Sequence, residues 1–489
     1  MSLAEVEFAF FFPVVWLLYW LGPRRAGWQN AVLLVASLVF YATWSLKLLP
    51  LLLLTTAIDY VAALWLGKHP KPEDGPEHGG RRWVLALSLV SNLGALGYFK
   101  YAGFFVQSLS ELLHLVGFQG GFAVLHIALP IGISFYTMTR VGAMLDVYYG
   151  RIPACRSPLV FFTFVSFFPQ VIAGPIGRGG DLLPQYEVPR RLDAERLASG
   201  AFAFLVGFFM KAYVAERVAE YVGPVFQDPS AYARGLHWLS LFAYATQVFC
   251  DFAGYSLLAI GTGRMFGLEL PENFRRPLLS TSLMEFWRRW HISLNTWLFD
   301  YIYGPMTTGT GFMRARYRLG FIVVFLASGL WHGAMWTFVL WGFLHGVALV
   351  VADRWDQFYK TLCRKDRRYV QLRRGGPYKV AAWGLTQGFF LLTLIPFRAP
   401  SLGVAWTFAK GLVVSGGSSQ LEAEGPAHLV LIAGWLVAYH VLDFERFRQW
   451  RERFFAFPTA VRGVLYGLVI VFLAMFAPVG AGAFIYAQF

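Results

Sequence analysis

Charged residues and cysteines are scarce in this chain of 489 residues. Asp, Glu, Lys and Arg make up 14% of the sequence, whereas hydrophobic residues make up 57%. An ordinary soluble globular domain carries about 25% charged residues, so this composition argues against that class. The three cysteines, Cys155, Cys250 and Cys363, include no close pair and no metal-ligand spacing. The sequence therefore predicts neither a disulfide framework nor a metal site.

Long apolar runs take the place of the missing charge. A helix needs roughly 20 apolar residues to cross the hydrocarbon core of a bilayer. Such runs recur along the chain, and we expect about eleven to thirteen spans from hydropathy. No soluble domain boundary, low-complexity tract or internal repeat interrupts them. The sequence thus predicts an all-α, multi-pass integral membrane protein with one membrane-embedded domain, residues 1–489.

Basic residues account for the formal net charge of +14 and lie mainly between the apolar runs. Arg24 and Arg25 follow the first run, and six further Lys and Arg residues lie within 364–374. Loops that carry such an excess remain on the cytoplasmic side of a membrane. Topology therefore explains the charge, and we predict no nucleic-acid partner.

Two apolar segments, 129–136 and 168–175, are interrupted by Pro and Gly. A break frees backbone polar groups, which a bilayer tolerates only where other protein or a water-filled cavity satisfies them. We therefore expect bent or re-entrant elements that line a cavity. A simple helix kink is the alternative interpretation of the first break.

His332 lies inside 321–351, an apolar run without formal charge that is long enough to cross a bilayer. An ionisable side chain at such a position is a functional-site hypothesis by default. A neutral imidazole there can accept a proton from a hydroxyl or thiol as a general base. The alternative is a histidine that bonds a neighbouring helix for packing. His345 lies about 220° further round a continuous helix, so we expect it to be structural unless Gly333 or Gly342 breaks that helix.

A second histidine, His291, ends a crowded segment of charges and indoles, residues 285–291. Its functional interpretation is proton-transfer chemistry together with His332, and its alternative is a solvated interfacial histidine. Arg288 and Arg289 precede it. Their planar guanidinium groups match phosphate oxygens, such as those of coenzyme A, although membrane-surface anchoring is the alternative.

Further polar and aromatic residues surround these histidines in the sequence. Asp251 and Tyr255 are four residues apart, so a helix places both on one side, towards a partner helix or a cavity. Asp300, with Glu285 and Asp251, is a candidate to orient an imidazole or bind an arginine. The helical spacing of three indoles predicts one interfacial helix with Trp287, Trp290 and Trp297 on a single face.

Several ordered motifs together make the chain similar to the membrane-bound O-acyltransferase family. The resemblance is closest to a bacterial branch that contains the alginate O-acetyltransferase membrane subunit and the teichoic acid D-alanyl transfer protein. It covers most of the chain and is carried by residues 96–101, 129–136, 168–175, 251–256, 286–294, 328–333, 341–342 and 345–346.

This resemblance implies a fold, a site and a reaction. The fold is a ring of tilted transmembrane helices around a thin centre, with re-entrant helices that form funnels from both faces. The histidine of the Trp-His-Gly motif is catalytic, which assigns His332, and the one ending Trp-Arg-Arg-Trp-His is the second polar site residue, which assigns His291. We expect the substrate tunnel to be lined by Trp331, Asp251, Tyr255, Asp300 and Trp287.

The function predicted from the sequence is O-acyl transfer in the bacterial cytoplasmic (inner) membrane. Acetyl-coenzyme A or another acyl thioester, rather than a permanently bound cofactor, delivers the acyl group from the cytoplasm. The acceptor is a hydroxyl of an envelope polysaccharide or of an extracytoplasmic partner protein. Three alternatives are D-alanyl transfer to a cell-wall polymer, a transporter or flippase without acyl chemistry, and a haem protein ligated by two histidines.

Overall fold

The computed structural model describes residues 1–71, 78–118, 127–308, 311–414, 416–419, 432–434, 436–437, 439–440 and 453–476. Within these ranges the regular structure is helical and contains no β-strand, which confirms the predicted all-α class. The α-helices in chain order are α1 (Val6–Leu21), α2 (Ala26–Ser45), α3 (Leu49–Lys68), α4 (Gly80–Leu96), α5 (Ala102–Leu115), α6 (Ile133–Tyr148), α7 (Pro158–Ser166), α8 (Phe168–Val171), α9 (Gly179–Glu187), α10 (Ala194–Phe208), α11 (Glu216–Ala219), α12 (Gly223–Gln227), α13 (Arg234–Met265), α14 (Leu283–Trp287), α15 (Ile292–Leu298), α16 (Gly304–Thr307), α17 (Tyr317–His332), α18 (Trp336–Lys365), α19 (Arg367–Arg374), α20 (Gly376–Arg398), α21 (Leu402–Gly411) and α22 (Thr459–Phe476).

Six helices of the described chain are long and apolar enough to cross a membrane. They are Ala26–Ser45, Leu49–Lys68, Gly80–Leu115, Ala194–Ala219, Trp336–Lys365 and Gly376–Arg398. The apolar helix α1 is shorter, with 16 residues. The predicted spans include apolar runs near 427–443 and 462–488 of the sequence, and most of the first run and the end of the second lie outside the described residues. The chain is therefore a multi-pass membrane protein, and the larger span count stays a prediction.

In the part of the chain that the structure describes, three π-helical segments interrupt these helices. They are Gly97–Tyr101, Phe209–Ala215 and Phe299–Tyr303. Each contains one ionisable residue with a formal charge: Lys100, Lys211 and Asp300 respectively. π-helical turns are rare and often occur at functional sites, so these segments mark positions where a charge has to be accommodated.

The described residues group into two compact units, and the chain passes from one to the other between residues 204 and 205, 254 and 255, and 272 and 273. One unit consists of residues 1–204 and 255–272, and the other of residues within 205–254 and 273–488. Each unit has its own buried core. The prediction of a single membrane-embedded domain stays a prediction.

In the first unit, the two Pro-Gly breaks approach each other closely. Gly132 has a φ of 72° and directly precedes α6. A Cβ atom on Gly132 would lie 2.1 Å from the backbone oxygen of Val171, which ends α8 in the second break. Only glycine permits this approach and this φ. The first break is therefore a helix start rather than a kink, whereas its role in lining a cavity stays a prediction.

The same unit contains a fully buried ion pair. Arg140 Nε of α6 lies 3.4 Å from Asp59 Oδ2 of α3. Ser88 Oγ and Asn92 Nδ2 of α4 donate to Asp59 at 2.7 and 2.9 Å. Such hydrogen bonds compensate a buried charge pair for lost hydration. The cluster therefore joins α3, α4 and α6 by polar contacts.

The segment that contains Trp287, Trp290 and Trp297 belongs to the second unit. It is not the single interfacial helix that its spacing predicts, because α14 ends at Trp287 and α15 begins only at Ile292. All three indoles are buried. His291, between the two helices, has a φ of 45°, which no continuous α-helix contains. The prediction of one helix is therefore wrong.

Candidate active site

His332 is the last residue of α17, at the turn of a helical hairpin. The turn Gly333–Met335 reverses the chain, and α18 then packs against α17. Two glycines allow this packing. A Cβ atom on Gly329 would lie 2.3 Å from Phe338 O, and one on Gly342 would lie 2.2 Å from Phe325 O. The hairpin therefore holds the His332 imidazole, which is 4% exposed, at a rigid helix end.

His291 lies between α14 and α15 and is held there by its neighbours. The backbone oxygen of Asn273 accepts a hydrogen bond from Ile292 N at 3.0 Å. The Asn273 side-chain oxygen accepts a second one from Ser293 N at 3.2 Å. Asn295 Nδ2 donates to Trp287 O at 3.0 Å across the turn. These contacts stabilise the left-handed conformation of His291, and strained backbone of this kind is concentrated at functional sites.

The structure brings the two predicted catalytic histidines together. The ring centroids of His291 and His332 are 6.4 Å apart. The indole of Trp331 lies 5.4 Å from the His291 ring and 5.0 Å from the His332 ring. Both imidazoles are buried, and neither ring nitrogen of His291 has a hydrogen-bond partner among the residues that the structure describes. Two imidazoles from separate segments thus share one buried site, and their catalytic roles stay predictions.

The two arginines predicted to bind donor phosphates have different surroundings. Arg289 Nη2 forms an ion pair with Glu285 Oε1 at 2.7 Å, one turn earlier. Arg288 is exposed. An exposed guanidinium is accessible to a large anionic donor, whereas Arg289 would have to share its carboxylate partner. Phosphate binding by either residue stays a prediction.

Asp251 and Tyr255 lie on the same side of α13, one turn apart, as predicted from their spacing. Both are buried. Asp251 forms an ion pair with Lys211, whose Nζ also lies 3.4 Å from Glu216 Oε1. Next to Asp251, the ring of Phe252 packs edge-on against the His291 imidazole at 4.5 Å. The Asp251 carboxylate is therefore engaged by a buried ammonium, next to a residue that contacts the site.

The remaining tunnel candidates, Asp300, Trp287 and Trp331, occupy unlike positions. Asp300 is exposed within its π-helical segment. Trp287 is buried and packs against Trp341 and His345, with ring centroids 5.8 and 5.0 Å away. Trp331 contacts both site histidines. The two indoles are thus part of the buried aromatic surroundings of the site, and a tunnel lined by these residues stays a prediction.

Lys211, Trp341 and His345 were not assigned to the site from the sequence. Lys211 is the first charged residue after an uncharged apolar stretch, residues 197–210, and that position is a signal in the sequence. Trp341 lies 5.2 Å from His332 and 4.6 Å from His345, measured between ring centroids. The separation of about 220° between His345 and His332 applies only to a continuous helix. The structure has a break at Gly333, so this separation does not apply. His345 therefore lies in the aromatic surroundings of the site after all.

A metal site has no support among the residues that the structure describes. No group of three or more His, Cys, Asp or Glu side chains within those ranges is arranged to hold a metal ion. All three cysteines are free, and Cys155 and Cys250 are buried.

The sequence of this chain is similar to those of known acyltransferases. Residues 153–394, which include both histidines, match the membrane-bound O-acyltransferase (MBOAT) family. The chain is 39% identical to a probable alginate O-acetylase of Azotobacter vinelandii, over 90% of this chain and 83% of that protein. It is 34% identical to a peptidoglycan O-acetyltransferase of Helicobacter pylori, over 79% of this chain and 74% of that protein.

A more distant similarity extends to a teichoic acid D-alanyltransferase of Streptococcus thermophilus. The identity is 28%, over 53% of this chain and 65% of that protein. The chain belongs to the membrane-bound O-acyltransferase family and is an acyltransferase.

Proposed function

We propose that this protein transfers an acetyl or similar short acyl group from a cytoplasmic acyl-coenzyme A to an extracytoplasmic hydroxyl. The acceptor would be an envelope polysaccharide or a partner protein outside the cytoplasmic (inner) membrane. The observation that carries this proposal is the buried pair of imidazoles, His291 and His332, with ring centroids 6.4 Å apart. The similarity to a probable alginate O-acetylase and to a peptidoglycan O-acetyltransferase supports a polymer acceptor.

In this proposal His332 is the general base. Its neutral imidazole takes the proton of the acceptor hydroxyl while the oxygen attacks the thioester carbonyl carbon. His291 positions a substrate or stabilises the charge that develops on it. Arg288 and Arg289 bind phosphates of the donor from the cytoplasmic side. The acyl group is then released on the opposite side as an ester.

Acyl transfer is favoured over transport, because the chain belongs to an acyltransferase family. D-alanyl transfer to a cell-wall polymer is a second candidate, which the weaker similarity to a teichoic acid D-alanyltransferase favours. The two acyl transfers differ in the acyl donor, so they are distinguished by whether the protein uses acetyl-coenzyme A or a D-alanyl thioester. The absorption spectrum of the purified protein tests the haem alternative, since a bis-histidine haem has an intense visible band.

The experiment uses the full chain in lipid nanodiscs, with acetyl-coenzyme A and glycerol as a soluble hydroxyl acceptor. Release of the coenzyme A thiol and formation of acetylglycerol are both measured. We expect His332→Ala to lower turnover by about 10²–10⁴-fold, as for loss of a general base. His114→Gln removes an exposed histidine and serves as the control. Full turnover by His332→Ala would refute the assigned role, and absence of acetyl transfer by the wild type would refute the proposed donor and acceptor chemistry.

A further inference from the structure

Three buried aromatic side chains form a cluster beside His332: Trp287, Trp341 and His345, here called the indole cluster. Their ring centroids are 5.8 Å apart for the two indoles, 5.0 Å for Trp287 and His345, and 4.6 Å for Trp341 and His345. Trp341 is 3% exposed and Trp287 is 8% exposed. The Trp341 ring is nearly perpendicular to that of His332, at 84° and 5.2 Å. The cluster therefore adjoins the proposed general base directly.

Both indole N–H groups of this cluster are buried donors. Within the described ranges, Nε1 of Trp287 and Nε1 of Trp341 have no hydrogen-bond acceptor. Buried N–H groups in native proteins nearly always have a partner, so these two donors are available to a ligand that accepts hydrogen bonds. A phenylalanine would pack in either place without leaving a donor unsatisfied.

The third member of the cluster is held from its far side. His345 Nε2 lies 3.0 Å from Thr393 Oγ1. The Thr393 hydroxyl is itself within hydrogen-bond distance of Phe390 O, at 2.8 Å. This contact with α20 fixes the imidazole, which packs against both indoles. His345 is therefore a positioning residue that maintains the orientation of the indole rings.

Transfer of an acyl group to a hydroxyl requires a hydrogen-bond donor at the carbonyl oxygen of the thioester, in addition to the base that accepts the hydroxyl proton. As the acceptor oxygen bonds to the carbonyl carbon, its proton moves to His332 and the carbon–oxygen π pair moves onto the carbonyl oxygen. When the intermediate collapses, that pair re-forms the carbonyl and the carbon–sulfur bond breaks. The leaving thiolate then takes the proton from His332. Preorganised N–H donors that bind the transient oxyanion are usually the largest single contribution to catalysis of such a step.

We infer that the indole cluster is the oxyanion subsite of this enzyme, with Trp341 Nε1–H as the donor to the thioester carbonyl oxygen. The inference rests on the acyl transfer proposed above and deepens it. Trp341 is the member of the cluster that contacts His332, so it is the indole next to the base that accepts the proton. Trp287 adds a second N–H further from the base. The ligand of the subsite is a carbonyl oxygen that becomes an alkoxide.

The test compares Trp341→Phe with wild type in nanodiscs, with acetyl-coenzyme A and glycerol. Phenylalanine keeps an aromatic ring and removes only the N–H and the second ring. We expect kcat to fall by about 10²–10³-fold, as for loss of one oxyanion donor, while KM for acetyl-coenzyme A stays within about 3-fold because the donor acts only in the transition state. Trp406→Phe, on an exposed tryptophan of α21, is the matched control and keeps full kcat.

A transition-state analogue separates this role from packing. The trifluoromethyl ketone analogue of acetyl-coenzyme A presents an alkoxide-like oxygen, so it should bind wild type much more tightly than coenzyme A does. Trp341→Phe should lose most of that preference and keep its affinity for coenzyme A. If the variant does not fold, the wild type with ¹⁵N-indole tryptophan is used instead, and the analogue should shift an indole N–H resonance downfield.

The outcomes distinguish this inference from the proposed function. If the wild type transfers acetyl groups and His332→Ala does not, but Trp341→Phe matches the wild type in kcat and analogue binding, the subsite is refuted alone. A parallel rise in KM for the donor with unchanged kcat would also overturn it, since that marks ground-state binding. The subsite is also refuted if the analogue shifts no indole N–H resonance. Absence of acetyl transfer by the wild type refutes the proposed function first.

Discussion

At the scale of single residues, the position of His291 depends on an unusual backbone conformation. Its φ of 45° belongs to the left-handed region, which asparagine adopts more readily than most other residues with a side chain. Asn273 and Asn295 form hydrogen bonds with backbone atoms of the turn, and none of these bonds involves the His291 imidazole. The fold of the turn and the chemistry of the side chain can therefore be separated by substitution.

His291→Asn makes this separation. We expect the variant to keep the thermal unfolding midpoint of the wild type within about 2 °C, because asparagine tolerates the left-handed region. We also expect acyl transfer to fall by about 10²-fold, since the amide is shorter than the imidazole and lacks its proton chemistry. Intrinsic fluorescence during heating gives the midpoint, and thiol release gives the rate. A normal rate at a normal midpoint would remove His291 from the reaction.

At the scale of elements, the hairpin of α17 and α18 brings His332 and Trp341 together. Gly342 of α18 lies against Phe325 O of α17, where an added Cβ atom would be only 2.2 Å away. The backbone of α17 cannot move aside without moving His332. The glycine is thus part of the geometry of the site although it carries no chemical group.

Gly342→Ala should open this hairpin. We expect the variant to lose about 1–3 kcal/mol of stability, as is typical of overpacked positions, and to lose activity with it. Gly388→Ala is the matched control, because Gly388 lies within α20 and nothing lies within 4 Å of an added Cβ atom there. That change should leave activity intact and gain helix propensity. Equal stability and activity of both variants would contradict the role of the close approach.

The sequence predicted the long helices better than the breaks between them. Hydropathy located most long helices to within a few residues, because a bilayer requires continuous apolar runs. The break after His291 was missed, since the spacing of Trp287, Trp290 and Trp297 is equally typical of one helix. The contact of both His332 and His345 with Trp341 depends on a turn at Gly333 that apolar periodicity does not encode. The prediction that His291 and His332 share one site came from the family resemblance of the motifs and not from local sequence patterns.

At the scale of the whole molecule, charge and hydropathy together determine how the chain sits in the membrane. The chain carries 42 Lys and Arg residues against 28 Asp and Glu residues. The short helix α19, Arg367–Arg374, joins the candidate spans Trp336–Lys365 and Gly376–Arg398 and is rich in arginine. Such a connection remains on the cytoplasmic side, where the proposed donor is found. The orientation of this one loop therefore bears on the direction of acyl transfer.

Arg368→Cys tests that orientation in a Cys363→Ser background, in which the other two cysteines are buried. A membrane-impermeant maleimide should label the new thiol in inside-out vesicles and not in intact spheroplasts, because the excess of basic residues predicts a cytoplasmic location for α19. Detergent-permeabilised spheroplasts should label fully and serve as the control for reactivity. Labelling of intact spheroplasts would place α19 outside the cytoplasm. It would also contradict the proposed direction of transfer, which takes the acyl donor from the same side as α19.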